Sequence, residues 1–206
     1  GVAAAIAASR AGARTLVVER WGFSGGYITA VYGPGLDGFV DLRTGRPIVG
    51  GVAARFARHA AGGPKDVLEG KFPPGSDLRN QREYPDLPPL IINIEAFKLW
   101  ADRLLRQAGA EILYHTHVAD VVTRGKKIEG VVLANKAGLT IARASQVVDA
   151  TGDADVAAMA GVPYDVDEHL QPLSLHFRVA GIRNVRAELR DLCGSVLEKL
   201  IKNGGL

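Results

Sequence analysis

Gly1-Val2-Ala3-Ala4-Ala5-Ile6-Ala7-Ala8-Ser9-Arg10-Ala11-Gly12-Ala13-Arg14-Thr15-Leu16-Val17-Val18-Glu19 reads as a helix, a glycine stop, a strand and an acid. The helix is alanine-rich with a small-residue face, and Gly12 falls where a left-handed C-cap is needed. The apolar run from Thr15 to Val18 then ends in Glu19. This order is that of the second half of a βαβ unit.

In the dinucleotide-binding version of that unit, the last glycine of G-x-G-x-x-G opens the helix and lets it pack close to the sheet. An acidic residue roughly 20 positions on accepts from the ribose hydroxyls. Gly1 and Glu19 stand at that spacing. Taken alone, the segment is equally served by an accidental Gly1 and an ordinary strand-end acid. The next stretch, Arg20-Trp21-Gly22-Phe23-Ser24-Gly25-Gly26-Tyr27-Ile28-Thr29, is a loop whose paired glycines let backbone approach a ligand closely. By itself Gly25-Gly26 is a plain turn; placed just after the acid, it marks flavin rather than nicotinamide binding.

Further along, Gly33-Pro34-Gly35-Leu36-Asp37-Gly38 matches G-x-G-x-x-G letter for letter. No strand clearly precedes it, and Asp41, Thr44, Gly45 and Pro47 keep the following chain in turns, so it is read as a glycine-rich loop near the ligand. Residues 47 to about 61 carry Val49, Val52, Phe56 and Ala60 at helical spacing, ended by Gly62-Gly63-Pro64. From about 62 to 90 the chain is proline-rich and polar, too long for an ordinary connection, and reads as a lid, an insertion or a mobile segment.

Asn93 is placed to cap a helix with Ile94, Phe97, Ala101, Leu104, Leu105 and Ala108 on one face and Gly109 as its stop. Ile112-Leu113-Tyr114 follows as a buried strand. Val118 to Thr123, Ile128 to Ala134 and Leu139 to Ala144 form an antiparallel meander. His115 and His117 fall on one strand face, but no third ligand accompanies them, so no metal is assigned. Gln146 to Asp149 reads as a short buried strand, and Thr151-Gly152-Asp153 as the turn into a helix that Thr151 or Asp153 caps. That junction serves equally as a plain β-turn-α connection or as backbone touching a ligand.

Composition limits the alternatives. With 47% hydrophobic residues among 206, the chain can bury a sizeable core, one domain and part of another. The net charge of +3 comes from interspersed charges without a basic, aromatic-rich stripe, which gives a nucleic-acid partner no support. The one cysteine, Cys193, excludes an intrachain disulfide and fits a reducing compartment, with cytoplasm as the default. Arg10 and Arg14 interrupt the apolar start well short of the roughly 20 residues of a membrane span.

The sequence of features, Gly1, Glu19, Gly25-Gly26, the helix and strand, the meander and Asp149-Ala150-Thr151-Gly152-Asp153, resembles that of FAD-dependent oxidoreductases with a glutathione-reductase-type FAD-binding fold. The resemblance covers residues 1 to about 180. It implies an α/β fold: a Rossmann-like FAD-binding domain over 1–165 with a β-meander and its first strand missing, and 166–206 as the beginning of a substrate or cap domain. It further implies that Glu19 binds the adenosine ribose, that Gly25 and Gly26 lie along the pyrophosphate and ribityl, and that the Val118 backbone meets adenine. Thr151, Gly152 and Asp153 border the cofactor, and Gly1, Arg20, Ser24 and Ala150 complete the implied set. Ser24 stands where related enzymes with a covalent flavin carry histidine, so FAD is expected to be held without a covalent bond. The first two fingerprint glycines and a late Gly-Asp segment are absent. The chain is therefore expected to be a piece truncated at both ends, holding FAD weakly and inactive alone.

The implied activity is electron or hydride transfer between FAD and an unidentified small-molecule substrate. A flavoprotein using FAD without net redox, and a silent FAD-binding assembly module, are the alternatives. Within Leu173-Ser174-Leu175-His176-Phe177-Arg178-Val179, alternation places Ser174, His176 and Arg178 on one strand face, where His176 and Arg178 suit protonation and clamping of an anionic substrate. An ordinary polar strand face accounts for the same pattern. A helix containing Leu192, Val196, Leu197, Leu200 and Ile201 closes the chain.

Overall fold

Alanine's high helix propensity carries the first element, α1 (Val2–Arg10), whose buried face is Ala5 and Ile6. The computed structural model describes residues 1–33, 35–36, 44, 48–54, 90–91, 93–166, 173 and 175–176. α1 ends at Gly12, with φ +89°, where the Ala13 N–H donates to the Ala8 carbonyl and the Gly12 N–H to the Ser9 carbonyl. This is a Schellman closure, which a residue with a Cβ adopts only under strain. It reverses the chain into β1 (Leu16–Val18).

α2 (Tyr27–Ala30) starts directly after Gly26. β2 (Gly35–Leu36) pairs antiparallel with β3 (Leu90–Ile91). Residues 51–54 are helical, within the span expected to form a helix, and the rest of that span past 54 lies outside the described residues. So does the proline-rich insertion, apart from Leu90. The G-x-G-x-x-G match at 33–38 is not wholly loop, because Gly35 and Leu36 belong to β2.

α3 (Ile94–Gln107) is capped by Asn93, whose Oδ1 accepts from the Ala96 N–H at 3.0 Å. The expected face is buried except for the partly buried Ala108, and Ala96 and Trp100 join it. This helix is the centre of the core. Ala5 and Ile6 of α1 pack with Phe97, Trp100, Ala101, Leu104 and Leu105, and Val17 and Ile112 lie against them. Ala5 on α1 leaves room for the large side chains of α3, and Ile6 of α1 packs among them. Gly109 closes α3 by the same Schellman pattern as Gly12, with Ala110 N–H on the Leu105 carbonyl.

β4 (Glu111–Leu113) runs parallel to β1, pairing Leu16 with Glu111, Val17 with Ile112 and Val18 with Leu113. β5 (His117–Arg124), β6 (Lys127–Asn135) and β7 (Gly138–Arg143) form the antiparallel meander in that spatial order. Its bounds fall within two residues of those expected, since alternating apolar residues and the turns at Gly125 and Gly138 are local signals. Just past Val118 the β5–β6 register shifts, a bulge before Asp120.

α4 (Asp155–Met159) packs beside β5 and closes at Gly161. Ahead of it one expectation fails: residues 146–150 adopt no strand, and Val148 is 69% exposed. A strand exists only with a ladder partner. None pairs with this segment among the described residues. The chain divides into two compact units, Gly1–Pro172 and Leu173–Leu206. Of the stretch expected as an alternating strand, Leu173, Leu175 and His176 are exposed and in no strand, while Ser174 and Arg178 lie outside the described residues. The terminal helix and Cys193 lie outside them too. No helix among the described residues is long and apolar enough to cross a membrane.

Candidate cofactor site

Glu19 follows β1, and the parallel pairing continues past the strand ends to hold it. The Glu19 N–H donates to the Leu113 carbonyl at 2.9 Å, and the Glu19 carbonyl accepts from Thr116 at 3.1 Å. His115 N–H donates to the Trp21 carbonyl at 3.2 Å. The half-buried side chain bends over its own loop, so that Oε1 accepts from the Trp21 N–H at 2.9 Å. The other carboxylate oxygen has no hydrogen-bond partner among the described residues. Arg20 is exposed and lies over the Trp21 ring, 5.4 Å from its centroid.

His115 and His117 do not share a strand face. His115 sits between β4 and β5 in the left-handed region, φ +51°, with its ring against Gly22: a Cβ there would lie 2.8 Å from the imidazole. The tight turn at His115 sets the direction from β4 into β5. Among the described residues no three His, Cys, Asp or Glu side chains gather as metal ligands do.

The loop at 23–26 is anchored on its inner side. Ser24 is 1% exposed, with its hydroxyl 3.2 Å from the Tyr114 hydroxyl. Thr29, fully buried, donates to the Ser24 carbonyl at 3.1 Å. At Gly25, φ +127°, a Cβ would stand 2.5 Å from Thr29 Cγ2. At Gly26, φ +58°, it would meet nothing within 4 Å. The loop therefore turns one glycine onto the core and the other to open space.

The Asp149–Asp153 turn is organised by Asp149, which the sequence does not mark as a site residue. Asp149 Oδ1 accepts from the Thr151 N–H at 3.0 Å and hydroxyl at 2.7 Å, while Oδ2 accepts from the Ala157 N–H at 2.9 Å. Thr151 in turn accepts from the Asp155 N–H at 2.9 Å, as expected of a cap, whereas Asp153 makes no such bond. The signal lay in the spacing: an acid eight residues ahead of Ala157 spans the whole turn. Burial pushes the Asp149 carboxyl upward, but the hydrogen bonds from Thr151, Ala157 and Val156 outweigh it and hold the group below the ordinary aspartate range.

A depressed folded-state pKa gives stability that is present above about pH 4, the unfolded carboxylate value. That stability is lost as the pH falls through the lower folded value. Asp149→Asn is therefore expected to cost about 1–2 kcal/mol at neutral pH, charge-assisted bonds discounted for solvent access. Thermal midpoints of both proteins from pH 7 to pH 3 check this: the gap closes in acid, and a gap that stays constant refutes the linkage.

Gly1 meets the Asp149–Asp153 turn. A Cβ on Gly1 would lie 3.5 Å from the Ala150 Cβ, which places the start of α1 against the Asp149–Asp153 turn. α1 has no side-chain cap and no acid in its first turn, so its N–H groups and positive dipole end are uncompensated by its own side chains. α1 and β1 pack together across a short reversal. The start of α1 offers N–H donors for an anion, and Glu19 a carboxylate oxygen for hydroxyl donors.

Residues 1–200 match the family described as FAD dependent oxidoreductase. The chain belongs to that family. The cofactor of the FAD-dependent oxidoreductases is FAD, and the donors and acceptors above fit its pyrophosphate and ribose. Among solved structures, the chain is similar to Thermovibrio ammonificans THI4, at 18% identity and a TM-score of 0.44, over 77% of this chain and 56% of that one. It is also similar to BexE, from a study of oxidation during BE-7585A biosynthesis, at 16% identity and a TM-score of 0.38, over 70% and 28%. The chain thus spans about half the length of the first of these. No curated protein matches it.

Proposed function

We propose that residues 1–165 form a Rossmann-like FAD-binding domain of glutathione-reductase type. In this reading the protein transfers electrons or hydride between a small-molecule substrate and non-covalently held FAD. The observation that carries this reading is the meeting of Gly1, at the start of α1, with Ala150 of the Asp149–Asp153 turn. A pyrophosphate needs both a helix N-terminus and close backbone, and this meeting supplies the two together.

Each residue has a role on that basis. The α1 N–H groups beside Gly1 receive the pyrophosphate, and Glu19 accepts from the adenosine ribose while Arg20 flanks it. Gly25 and Gly26 line the pyrophosphate and ribityl. The Val118 backbone, at the bulged end of β5, borders adenine, and Ala150, Thr151, Gly152 and Asp153 edge the flavin side. Ser24, with its hydroxyl engaged by Tyr114, supports retention without a covalent link. When bound, FAD supplies the redox chemistry. Residues 166–206 belong to a substrate domain in which His176 and Arg178 hold and protonate an anionic substrate. The single cysteine accords with a cytoplasmic location.

The test is the full-length protein. It should purify yellow, bind FAD in preference to NAD, and undergo reduction and reoxidation of its flavin. Replacing His176 or Arg178 should then slow substrate-dependent reduction at unchanged flavin content. A protein that takes up no FAD while binding NAD tightly refutes the assignment, and flavin that is bound but never reduced moves the function to non-redox or assembly roles.

A further inference from the structure

We propose that Tyr114 is a positioning residue that, through Ser24, aims the Gly25 N–H at the cofactor's phosphates; the inference rests on the FAD reading of the Gly25-Gly26 loop. The direction of the hydrogen bonds carries the argument. Tyr114 has one hydroxyl proton and donates it to Asp102 Oδ1 at 3.1 Å, an oxygen that only accepts when ionised. The Ser24 hydroxyl, 3.2 Å from the Tyr114 oxygen, must then be the donor in that pair. Asp102 is held on α3 by Arg106, whose Nε lies 2.9 Å from Oδ2. The chain Ser24 to Tyr114 to Asp102 thus fastens the loop to the central helix of the core.

A neighbouring anchor acts on the same helix: Lys98 of α3 lies 4.1 Å from the Phe23 ring centroid, next to Ser24. The consequence appears in the peptide planes. The Ser24 carbonyl is turned inward to the Thr29 hydroxyl, and every peptide in the described chain is trans. A trans peptide points its N–H opposite to its carbonyl. Gly25 N–H is therefore turned away from Thr29 and has no partner among the described residues. A fixed outward donor beside a glycine without a Cβ suits a phosphate oxygen. Burial, and the charge and hydrogen bond of Asp102, outweigh the opposing influence of Ser24 and Arg106 and raise the Tyr114 hydroxyl above its usual value, so it remains a proton donor at neutral pH.

The test compares wild type, Tyr114→Phe, Ser24→Ala and the double variant in the full-length protein. FAD affinity is measured by titrating flavin-free protein, and hydrogen exchange is followed at the Thr29 and Ala30 amides, both of which donate to the Gly26 carbonyl. Each single variant is expected to weaken FAD about threefold to tenfold, the worth of one hydrogen bond. The double should lose no more than either single, and both amides should exchange faster before flavin is added. Unchanged affinity, or losses that multiply in the double variant, overturns the inference. So does faster exchange with normal affinity, which leaves the anchor a purely structural one. A wild type that binds no FAD instead brings down the reading beneath it, so the two failures are told apart.

Discussion

Glu19→Ala is expected to weaken FAD binding by about tenfold to a hundredfold. The carboxylate is charged, and a hydrogen bond to a charged group contributes roughly 1.5–3 kcal/mol, where 1.4 kcal/mol is a factor of ten. Its position makes the full effect available. Main-chain bonds to Leu113 and Thr116 fix the Glu19 backbone, and the Trp21 N–H holds Oε1, so little ordering remains to be done when a ribose arrives. The same Trp21 bond complicates the alanine variant, because its loss also loosens the loop. Glu19→Gln separates the two effects: it keeps an acceptor for Trp21 while removing the charge, and should fall between wild type and alanine. Titration of flavin-free protein decides, and a dissociation constant unaltered by alanine would make Glu19 a surface acid.

The parts of this fold that were legible in the sequence are those fixed by local chemistry. Gly12 and Gly109 end their helices because positive φ was needed at one definite position, and Asn93 starts α3 because its side chain reaches the Ala96 N–H three residues on. The meander was legible for the same reason, since alternation and turn residues repeat within a few positions. What escaped depends on distant chain. Val147 and Val148 give the stretch at 146–149 a strand's composition, but strand geometry requires a ladder partner, and composition cannot supply one. Ser24 and Tyr114 stand 90 residues apart, so nothing near either announced their bond. Asp149 was read as part of the strand, although an acid before a glycine turn is also a reach-over cap. His115 falls at strand spacing with His117 in the sequence, because a left-handed histidine has no compositional mark.

Gly25→Ala is expected to be the most damaging single methyl in the site. An alanine Cβ would lie 2.5 Å from Thr29 Cγ2, 2.7 Å from Thr29 Oγ1 and 3.1 Å from Phe97 Cε1. Thr29 cannot simply step aside: it is fully buried, and its hydroxyl is committed to the Ser24 carbonyl at 3.1 Å. Overpacking of this kind costs about 1–3 kcal/mol, and an L-residue forced to an unfavourable positive φ adds about 1–3 kcal/mol more. The loop is the cheaper element to move, so much of that cost should appear as a displaced Gly25 N–H and a loss of FAD affinity of at least about tenfold, with a lowered thermal midpoint. Gly26→Ala is the matched comparison, because its φ is also positive while its Cβ would point into open space. It should carry backbone strain without the clash and lose less. Thr29→Ser in the Gly25→Ala background removes the Cγ2 methyl and keeps the hydroxyl, and should recover part of the affinity. If Gly25→Ala and Gly26→Ala behave alike, or Thr29→Ser restores nothing, the contact between Gly25 and Thr29 is not what fixes the loop.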